Sequence, residues 1–577
     1  MNRNSMAVLS KLAKRNPAEE LPVYRLAVVG DCSTQHLSQA IRGTGIIHDV
    51  NIEIFDADYD QISAQIDDSS SELYSFAPDG VFIMMCTEKL YSRYLSTRAD
   101  ERVNFAQNEY GLISRRWNTL AGKTKSVIIQ SLFCEYDDRV FGSFACRLPG
   151  SFIYQLRRLN MLISEGAAAG NNVYPVDFSF LASEMGYMTV KSPIVYGMAK
   201  LPFSTEYIPQ AAEAVVNIIL ALKGKSVKCI ILDLDDTLWG GTVSEDGMEG
   251  IQIGELGTGY AFSAIQTYMK ELKNRGILLA VCSKNYEDKA KEPFLKHPDM
   301  ILRLEDFALF VANWKPKAEN IRYIQSNLNI GMDSLVFIDN SPFERAAVRA
   351  AIPEITVPEM PEDPAEYVNF LRRENLFEAV SYTPEDAGRT LLYRAEAGRR
   401  QAEKDSSTYE DFLRSLDMHA ECDSFSSFWY PRIAQLSQRS NQFNLRTVRY
   451  TEADIERIAR DSAYITRYFV LHDSFGDSGL ISAFIMHPCD EESLFVESWF
   501  MSCRVLKRTM EEFIVNAMIS AARRAGYKKV IGEYIPTSKN AMVSNIYSKL
   551  GFTDLGNGRF EADVASFVKN ETFIGWY

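Results

Sequence analysis

The sequence predicts a three-domain α/β chain, and three observations carry that prediction. At 577 residues the chain is too long for one hydrophobic core. Short apolar runs alternate with amphipathic stretches through its first two thirds, the pattern of parallel strands flanked by helices. Several of those runs end in acidic or hydroxyl residues, at the edge where α/β sheets collect ligands.

The first block, 1–223, has strand-like runs at 24–29, 80–85 and 126–130 with helical patterns between them, and closes on a helix-spaced apolar stretch at 211–222. The second, 224–375, opens on the run Cys229-Ile230-Ile231-Leu232 and continues through an amphipathic helix at 261–275, stopped by Arg275-Gly276. Strands follow at 277–282 and 334–338, which makes this block a doubly wound sheet. Four prolines within 353–364 mark its exit, and a charged helical linker spans 376–409. The third block, 410–577, shows strands at 466–471, 479–486 and 494–499, a long helix at 506–525 and a strand at 529–534, a mixed sheet with one helix.

Composition narrows the function. Apolar residues make up 46% and charged residues 24%, a globular balance. The net charge of −14 argues against nucleic acid as a partner. Nine scattered cysteines without a CxxC or Cys/His cluster read as reduced thiols of a cytoplasmic protein, not as a structural zinc site. The first twenty residues lack the apolar stretch of a secretory signal, and no run is long enough to span a membrane.

The chemistry begins at the end of the strand 229–232. Asp233, Asp235 and Thr237 follow it directly, and two carboxylates at a sheet edge are costly without a cation or a catalytic task. The next strand ends in Cys282-Ser283-Lys284-Asn285, the loop Trp314-Lys315-Pro316-Lys317 comes after it, and the strand Leu335–Ile338 ends in Asp339-Asn340. Phosphoryl transfer needs these parts: a nucleophilic carboxylate, a hydroxyl and a lysine for the phosphoryl oxygens, a cation, and an acid for the leaving group.

These residues resemble the four motifs of the haloacid dehalogenase superfamily: Asp233-x-Asp235-x-Thr237, Ser283, Lys317 and Asp339. The resemblance implies Asp233 as nucleophile and Asp235 as general acid/base, with its backbone carbonyl on Mg2+. It implies Ser283 and Lys317 as holders of the phosphoryl group and Asp339 as the completing metal ligand beside Asp233 and Asp235. Lys315 is a rival for the motif lysine, and Asn340 stands where many members carry a second acid. Only 49 residues separate Asp233 from Ser283, and 33 separate Ser283 from Lys317, which leaves little length for a separate cap domain. A hairpin-like flap is expected at 242–259, over an open site that could admit a tethered substrate.

A wider set of residues is similar to the FkbH-like subgroup: Leu238-Trp239-Gly240-Gly241-Thr242-Val243, Glu245-Asp246-Gly247, Ala280-Val281-Cys282-Ser283-Lys284-Asn285, His297-Pro298-Asp299-Met300, Gln442-Phe443-Asn444-Leu445 and Ser502-Cys503-Arg504-Val505-Leu506. The resemblance implies an enzyme that removes phosphate from a small three-carbon substrate derived from 1,3-bisphosphoglycerate. It would load the glyceryl unit as a thioester on an acyl carrier protein of polyketide or nonribosomal peptide biosynthesis.

In the third block, the strand ending in Trp499-Phe500-Met501 and the following Arg504 to Arg508 segment, with Asn540 and Tyr547, resemble the N-acetyltransferase-like (GNAT-like) fold, where a splayed strand and a helix start hold pantetheine. Arg504, Lys507, Arg508, Asn540 and Tyr547 are accordingly the expected contacts for the phosphopantetheine arm of the carrier. Two thiols are candidates for the acyl group, Cys503 beside that basic segment and Cys282 beside Ser283. In the first block Val28-Val29-Gly30-Asp31-Cys32-Ser33 resembles the first motif of SGNH hydrolases with Cys32 at the serine position. His36 and His48 are its only histidines, and no DxxH follows, so a degenerate SGNH/flavodoxin-like domain that is not a hydrolase is expected. Gly122-Lys123-Thr124 lacks the first glycine of a phosphate-binding loop. Two other functions stay open: a Mg-dependent phosphatase of a sugar or glycolipid phosphate, and a noncatalytic carrier-binding or acyl-transfer protein.

Overall fold

The computed structural model describes residues 5–15, 21–170, 172–537 and 539–577. By packing, the chain divides into two compact units, 1–220 and 221–577. The expected second block, linker and third block thus share one unit.

In the first unit, β1 (Val23–Gly30), β2 (Asn51–Asp56), β3 (Gly80–Met84), β4 (Val127–Ser131) and β5 (Val173–Val176) form a five-stranded sheet in the order β2-β1-β3-β4-β5. Every pairing is parallel. Residues such as Leu26, Val28, Phe82 and Ile129 are fully buried, as parallel strands covered on both faces require. The sequence did not single out β2, whose Glu53 and Asn51 interrupt the apolar run, or β5, which is four residues long and contains Pro175.

The second unit contains two sheets. β6 (Cys229–Leu232), β7 (Leu278–Ser283), β8 (Phe307–Ala312) and β9 (Leu335–Ile338) form a parallel sheet in the order β8-β7-β6-β9. Its two faces bury separate apolar clusters, one around Trp239, Phe262 and Phe294 and one around Ile321, Phe337 and Tyr393. β6 lies inside the sheet, so the residues that follow it emerge between neighbouring strand ends. The segment expected as a hairpin at 242–259 is instead a short kinked helix, Val243–Gly250, with a single bridge pairing Gly240 and Gln252. Gly247 takes φ +68° at the kink, a conformation that favours glycine.

The last sheet comprises β10 (Met418–Asp423), β11 (Ile465–Asp473), β12 (Gly476–Pro488), β13 (Ser493–Met501), β14 (Lys529–Glu533), β15 (Thr553–Gly556), β16 (Arg559–Asp563) and β17 (Ile574–Trp576). Their order is β15-β16-β14-β13-β12-β11-β10-β17. All pairings are antiparallel except β13 with β14 and β10 with β17. The helix expected from 506 starts later, at Met510, and runs to Arg524. Before it, Cys503–Val505 forms one 3-10 turn, and Lys507 and Thr509 take φ +65° and +58°. The linker becomes the helix Arg389–Asp405. It is tied to β11 through the buried Arg399, whose guanidinium donates to both oxygens of Asp473 at 2.7 and 2.9 Å. Among the described residues, no helix is long and apolar enough to cross a membrane.

Candidate phosphoryl-transfer site

The carboxyl ends of β6, β7 and β9, and the helix that follows β8, carry the four motifs. The backbone N–H of Asp233 donates to the Ile338 carbonyl at 3.0 Å, extending the β6–β9 ladder one step beyond the strands and setting Asp233 beside Asp339. Lys317, at the start of the helix Lys317–Leu328, reaches between them. Its Nζ lies 2.9 Å from Asp233 Oδ2 and 2.5 Å from Asp339 Oδ2. Burial opposes the charge of this lysine, but the two carboxylates outweigh it and raise its pKa. Lys317, not the rival Lys315, therefore occupies the site.

Asp339 is fully buried, and burial, with repulsion from Asp233 behind it, pushes its carboxyl up to about 6. Its other oxygen accepts the Ser341 N–H at 2.8 Å. One lysine is thus shared by two buried carboxylates, and a further cation would relieve the repulsion that remains. The carboxylate oxygens of Asp233 and Asp339 are hard donors of the kind that suit a magnesium ion.

Asp235 is half-buried and differently held. Its Oδ1 accepts from Trp239 Nε1 and from the Val243 N–H, each at 3.0 Å, and its Oδ2 from Asn285 Nδ2 at 3.2 Å. Burial raises its pKa, the two N–H donors on Oδ1 pull it back, and Asp233 and Asp236 add to the rise. The two aspartates are therefore held differently, one paired with a lysine and one displaced toward the protonated form. Thr237 Oγ1 accepts the Asn340 N–H at 3.2 Å and so locks the first motif to the last. Ser283 is buried at the end of β7, 2% exposed.

Three contributors were not assigned a role from sequence. Trp239 and Asn285 orient Asp235. Arg345 donates to the carbonyls of Asp339 and Asn340 at 2.8 and 2.7 Å and shapes the loop after β9. Its signal was faint, since it lies one turn into the helix Pro342–Ala351 that Ser341 caps. Tyr286, Trp314 and Phe343, three residues after Ser283, three before Lys317 and four after Asp339, are exposed at 61%, 60% and 74%. The rings of Tyr286 and Trp314 meet edge to face at 5.6 Å.

Neither candidate thiol joins the aspartates. Cys282 is fully buried in the apolar cluster on one face of the sheet, its Sγ 3.8 Å from the Lys317 carbonyl, and burial pushes its thiol up to about 12. Cys503 is half-buried, its Sγ 3.5 Å from the carbonyl of Asn329, in the loop that leads to the opposite, amino end of β9. In the first unit, Cys32 is buried, and a hydrogen bond with Cys86, then burial, holds its thiol well above the usual range. Asp177 caps the helix Phe178–Met185, accepting from Ser179 and Phe180 at 2.9 and 3.0 Å.

The expected pantetheine contacts of the third block are used inside the fold. β13 and β14 pair only over Ser493–Phe495 and then diverge. The gap is filled by the chain itself. Met501 donates to the Phe443 carbonyl at 3.0 Å, Leu445 to that of Trp499 at 3.4 Å, and Ile535 to that of Leu445 at 2.9 Å. Asn540 is fully buried and its amide holds this filling segment through the carbonyls of Asn444 and Ile535, at 3.1 and 2.9 Å. Tyr547 is packed among Trp499, Phe552 and Phe560. Arg508, 4% exposed, is paired with Glu396 and Asp473. The strand edge, Asn540, Tyr547 and Arg508 are thereby withdrawn from a ligand in the gap. Lys507 is exposed and Arg504 lines a cavity near Cys503.

Comparison with known proteins places these features in a family. Residues 25–220 match the family described as FkbH, N-terminal domain. The crystal structure of the N-terminal part of the protein BF1531 from Bacteroides fragilis, containing a phosphatase domain and complexed with Mg, is 41% identical. The match covers 66% of this chain and 100% of that one, with a TM-score of 0.63. The ribosomal-protein-S18-alanine N-acetyltransferase from Escherichia coli matches over 26% of this chain and 98% of its own, at 13% identity and a TM-score of 0.21. The spermidine/spermine N-acetyltransferase SpeG from Vibrio cholerae, in mutant forms, matches over 26% of this chain and 96% of its own, at 14% identity and a TM-score of 0.21. No curated protein matches. With an FkbH amino-terminal domain followed by the aspartate-lysine site of a phosphatase domain, the chain belongs to the FkbH family of phosphatase-domain proteins.

Proposed function

We propose that the chain is a Mg2+-dependent FkbH-type phosphatase and glyceryl transferase, with phosphate removal at Asp233. The lysine shared by Asp233 and Asp339, beside a separately held Asp235, is the observation that supports it most. In this reading the Asp233 carboxylate attacks phosphorus, and the bond to the leaving oxygen breaks as Asp235 delivers a proton to it. Asp235, now ionised, takes a proton from water, whose oxygen attacks the aspartyl phosphate. Phosphate leaves and Asp233 is restored. Lys317 and Ser283 hold the phosphoryl oxygens. Magnesium, held by Asp233, Asp339 and the Asp235 carbonyl, would supply positive charge against the phosphoryl oxygens.

The substrate is a three-carbon phosphate derived from 1,3-bisphosphoglycerate, and the acceptor is the phosphopantetheine thiol of an acyl carrier protein. Acyl transfer runs by thiol attack on the acyl-phosphate carbonyl with loss of phosphate. The exposed aromatic rim of Tyr286, Trp314 and Phe343, with no more than a short helix at 243–250 near Asp235, supports a bulky or tethered substrate. A second reading, a phosphatase without acyl transfer, is favoured by the full burial of the Cys282 thiol in the apolar face of the sheet and by the position of Cys503 at the opposite end of that sheet.

The test is incubation of the protein with 1,3-bisphosphoglycerate, Mg2+ and a holo carrier protein, followed by intact-mass measurement and phosphate assay. Glyceryl on the carrier is the expected result, and in Asp233→Asn the ester phosphate is retained, so that only the acyl phosphate is released and the carrier adduct stays phosphorylated. Phosphate release with no adduct on enzyme or carrier would leave the plain phosphatase.

A further inference from the structure

A cavity of about 880 Å³ opens at the other end of the same sheet from Asp233. Lys228, which immediately precedes β6, lines it, whereas Asp233 immediately follows β6. At about 3.3 Å per residue, the five-residue step separates the two backbone positions by on the order of 16 Å. The other walls come from the helix Arg389–Asp405, the helix Tyr430–Arg439 and the turn after β13. Arg389, Arg432, Arg504 and Cys503 line it as well.

Its cations outnumber the carboxylates around them: the buried Asp386, paired with Arg439, also attracts Arg389 and Arg432, and Glu396, paired with Arg399 and Arg508, attracts Arg504. Among the described residues, Lys228, Arg389, Arg432 and Arg504 make no ion pair with a carboxylate. Lys228 donates to the Arg439 carbonyl at 2.9 Å, Arg389 to that of Gly276 at 3.0 Å, and Arg504 to Ser502 Oγ at 3.3 Å. Arg432 donates one bond to Gln435, and its Nε is buried with no partner. Two lining acids, Asp333 and Glu354, do not offset this. Asp333 is paired with Lys539, and Glu354 is exposed. Burial, with repulsion from neighbouring arginines, pushes Lys228 down to about 8 and Arg432 down to about 9. Four cations without a direct ion pair converging on one space are favoured by an anion entering it, and guanidinium forks match phosphate oxygens.

We propose that this cavity is a second anion site, built to bind a phosphate ester through Lys228, Arg389, Arg432 and Arg504, with Cys503 in its wall. It is separate from the Asp233 site and does not rest on that site's chemistry. The filled gap between β13 and β14 leaves this cavity, not the strand edge, as the place in the third block where a phosphate-bearing arm is accommodated.

The experiment follows alkylation of Cys503 by iodoacetamide in the full-length protein, in magnesium-free buffer, with peptide mass spectrometry as readout. The exposed Cys146 and Cys489 serve as internal controls. Inorganic pyrophosphate is expected to slow labelling of Cys503 several-fold and saturably, without changing the controls, and raised salt to weaken the effect. The same protection is expected in Asp233→Asn. In Arg432→Gln the half-protecting concentration should rise about tenfold, the worth of one charge-assisted hydrogen bond, and Arg432→Lys should recover part of it. Better protection by 4′-phosphopantetheine than by pyrophosphate would identify an extended phosphate ester as the ligand, and equal protection a small phosphate. An unchanged Cys503 rate in millimolar pyrophosphate would overturn the proposal. So would protection that vanishes in Asp233→Asn while surviving in Arg432→Gln.

Discussion

Asp339 and Asp235 sit a few residues from Asp233 in space or sequence, yet their surroundings assign them different work. The Asp339 carboxyl is held near a pKa of about 6 by burial and by Asp233, above its value in an unfolded chain. Stability tied to this group is fully present below the unfolded value near 4 and is lost as pH rises through about 6. A cation bound there offsets the loss, so the rise in melting temperature caused by Mg2+ should grow between pH 5 and 7, which thermal scans at a series of pH values would measure. A constant Mg2+ increment across that range would exclude Asp339 as the responsive group. For Asp235, replacement by Asn removes the proton donor but keeps acceptor and donor atoms near Trp239 and Asn285. Steady-state phosphate release should fall about 10²–10⁴-fold with little change in melting temperature. These residue types and their order were legible in the sequence. The hydrogen bonds from Trp239, Val243 and Asn285 that separate Asp235 from Asp233 were not, because they depend on side-chain direction after the chain leaves β6.

Among elements, the segment 443–445 and the helix Arg389–Asp405 changed most between expectation and structure. The sequence pattern suggested a splayed strand pair open to pantetheine, whereas backbone groups of 443–445 satisfy the diverging edge. Buried N–H and carbonyl groups cannot be left open, and an intrachain segment supplies partners at lower entropic cost than a ligand. Asn540→Ala should therefore act as a structural change. Loss of its bonds to the carbonyls of Asn444 and Ile535 is expected to cost about 1–3 kcal/mol in urea unfolding, with phosphate release per folded molecule unaltered. The linker helix read only as a charged connection to the third block. Its Arg399 is 4% exposed and forms a two-bond pair with the fully buried side chain of Asp473. Arg399→Met leaves that carboxylate without its main partner, and a loss of about 3–5 kcal/mol in unfolding free energy is expected. A loss below 1 kcal/mol would mean that Arg508, also 3.4 Å from Asp473, takes over the charge.

For the whole molecule, the division at residues 220 and 221 predicts unfolding in more than one step. Differential scanning calorimetry should resolve at least two transitions, and Mg2+ should raise only the one that belongs to 221–577, where Asp233, Asp235 and Asp339 reside. A single transition shifted as a whole by Mg2+ would instead show that the two units unfold together. The three-block reading separated the linker and the last block from the phosphatase domain. The structure gathers them into one unit, because buried ion pairs and the apolar face around Tyr393 join elements far apart in sequence. That gathering creates the basic cavity, whose cations come from residues 228, 389, 432 and 504, spread over 277 positions (504 − 227).

The sequence by itself determined the strands β1, β3, β4, β6, β7 and β9 of the parallel sheets and the aspartate, serine and lysine motifs, since apolar runs and the residues after them are local properties with a fixed geometric consequence. It also determined the absence of room for a large cap, which is a matter of counting. Tertiary structure alone decided which lysine bridges Asp233 and Asp339, which face of β7 takes Cys282, and that the gap between β13 and β14 is filled from within. Those outcomes depend on packing between distant segments, where burial sets the cost of each unpaired charge and each open backbone group. Sequence spacing carries no record of that cost.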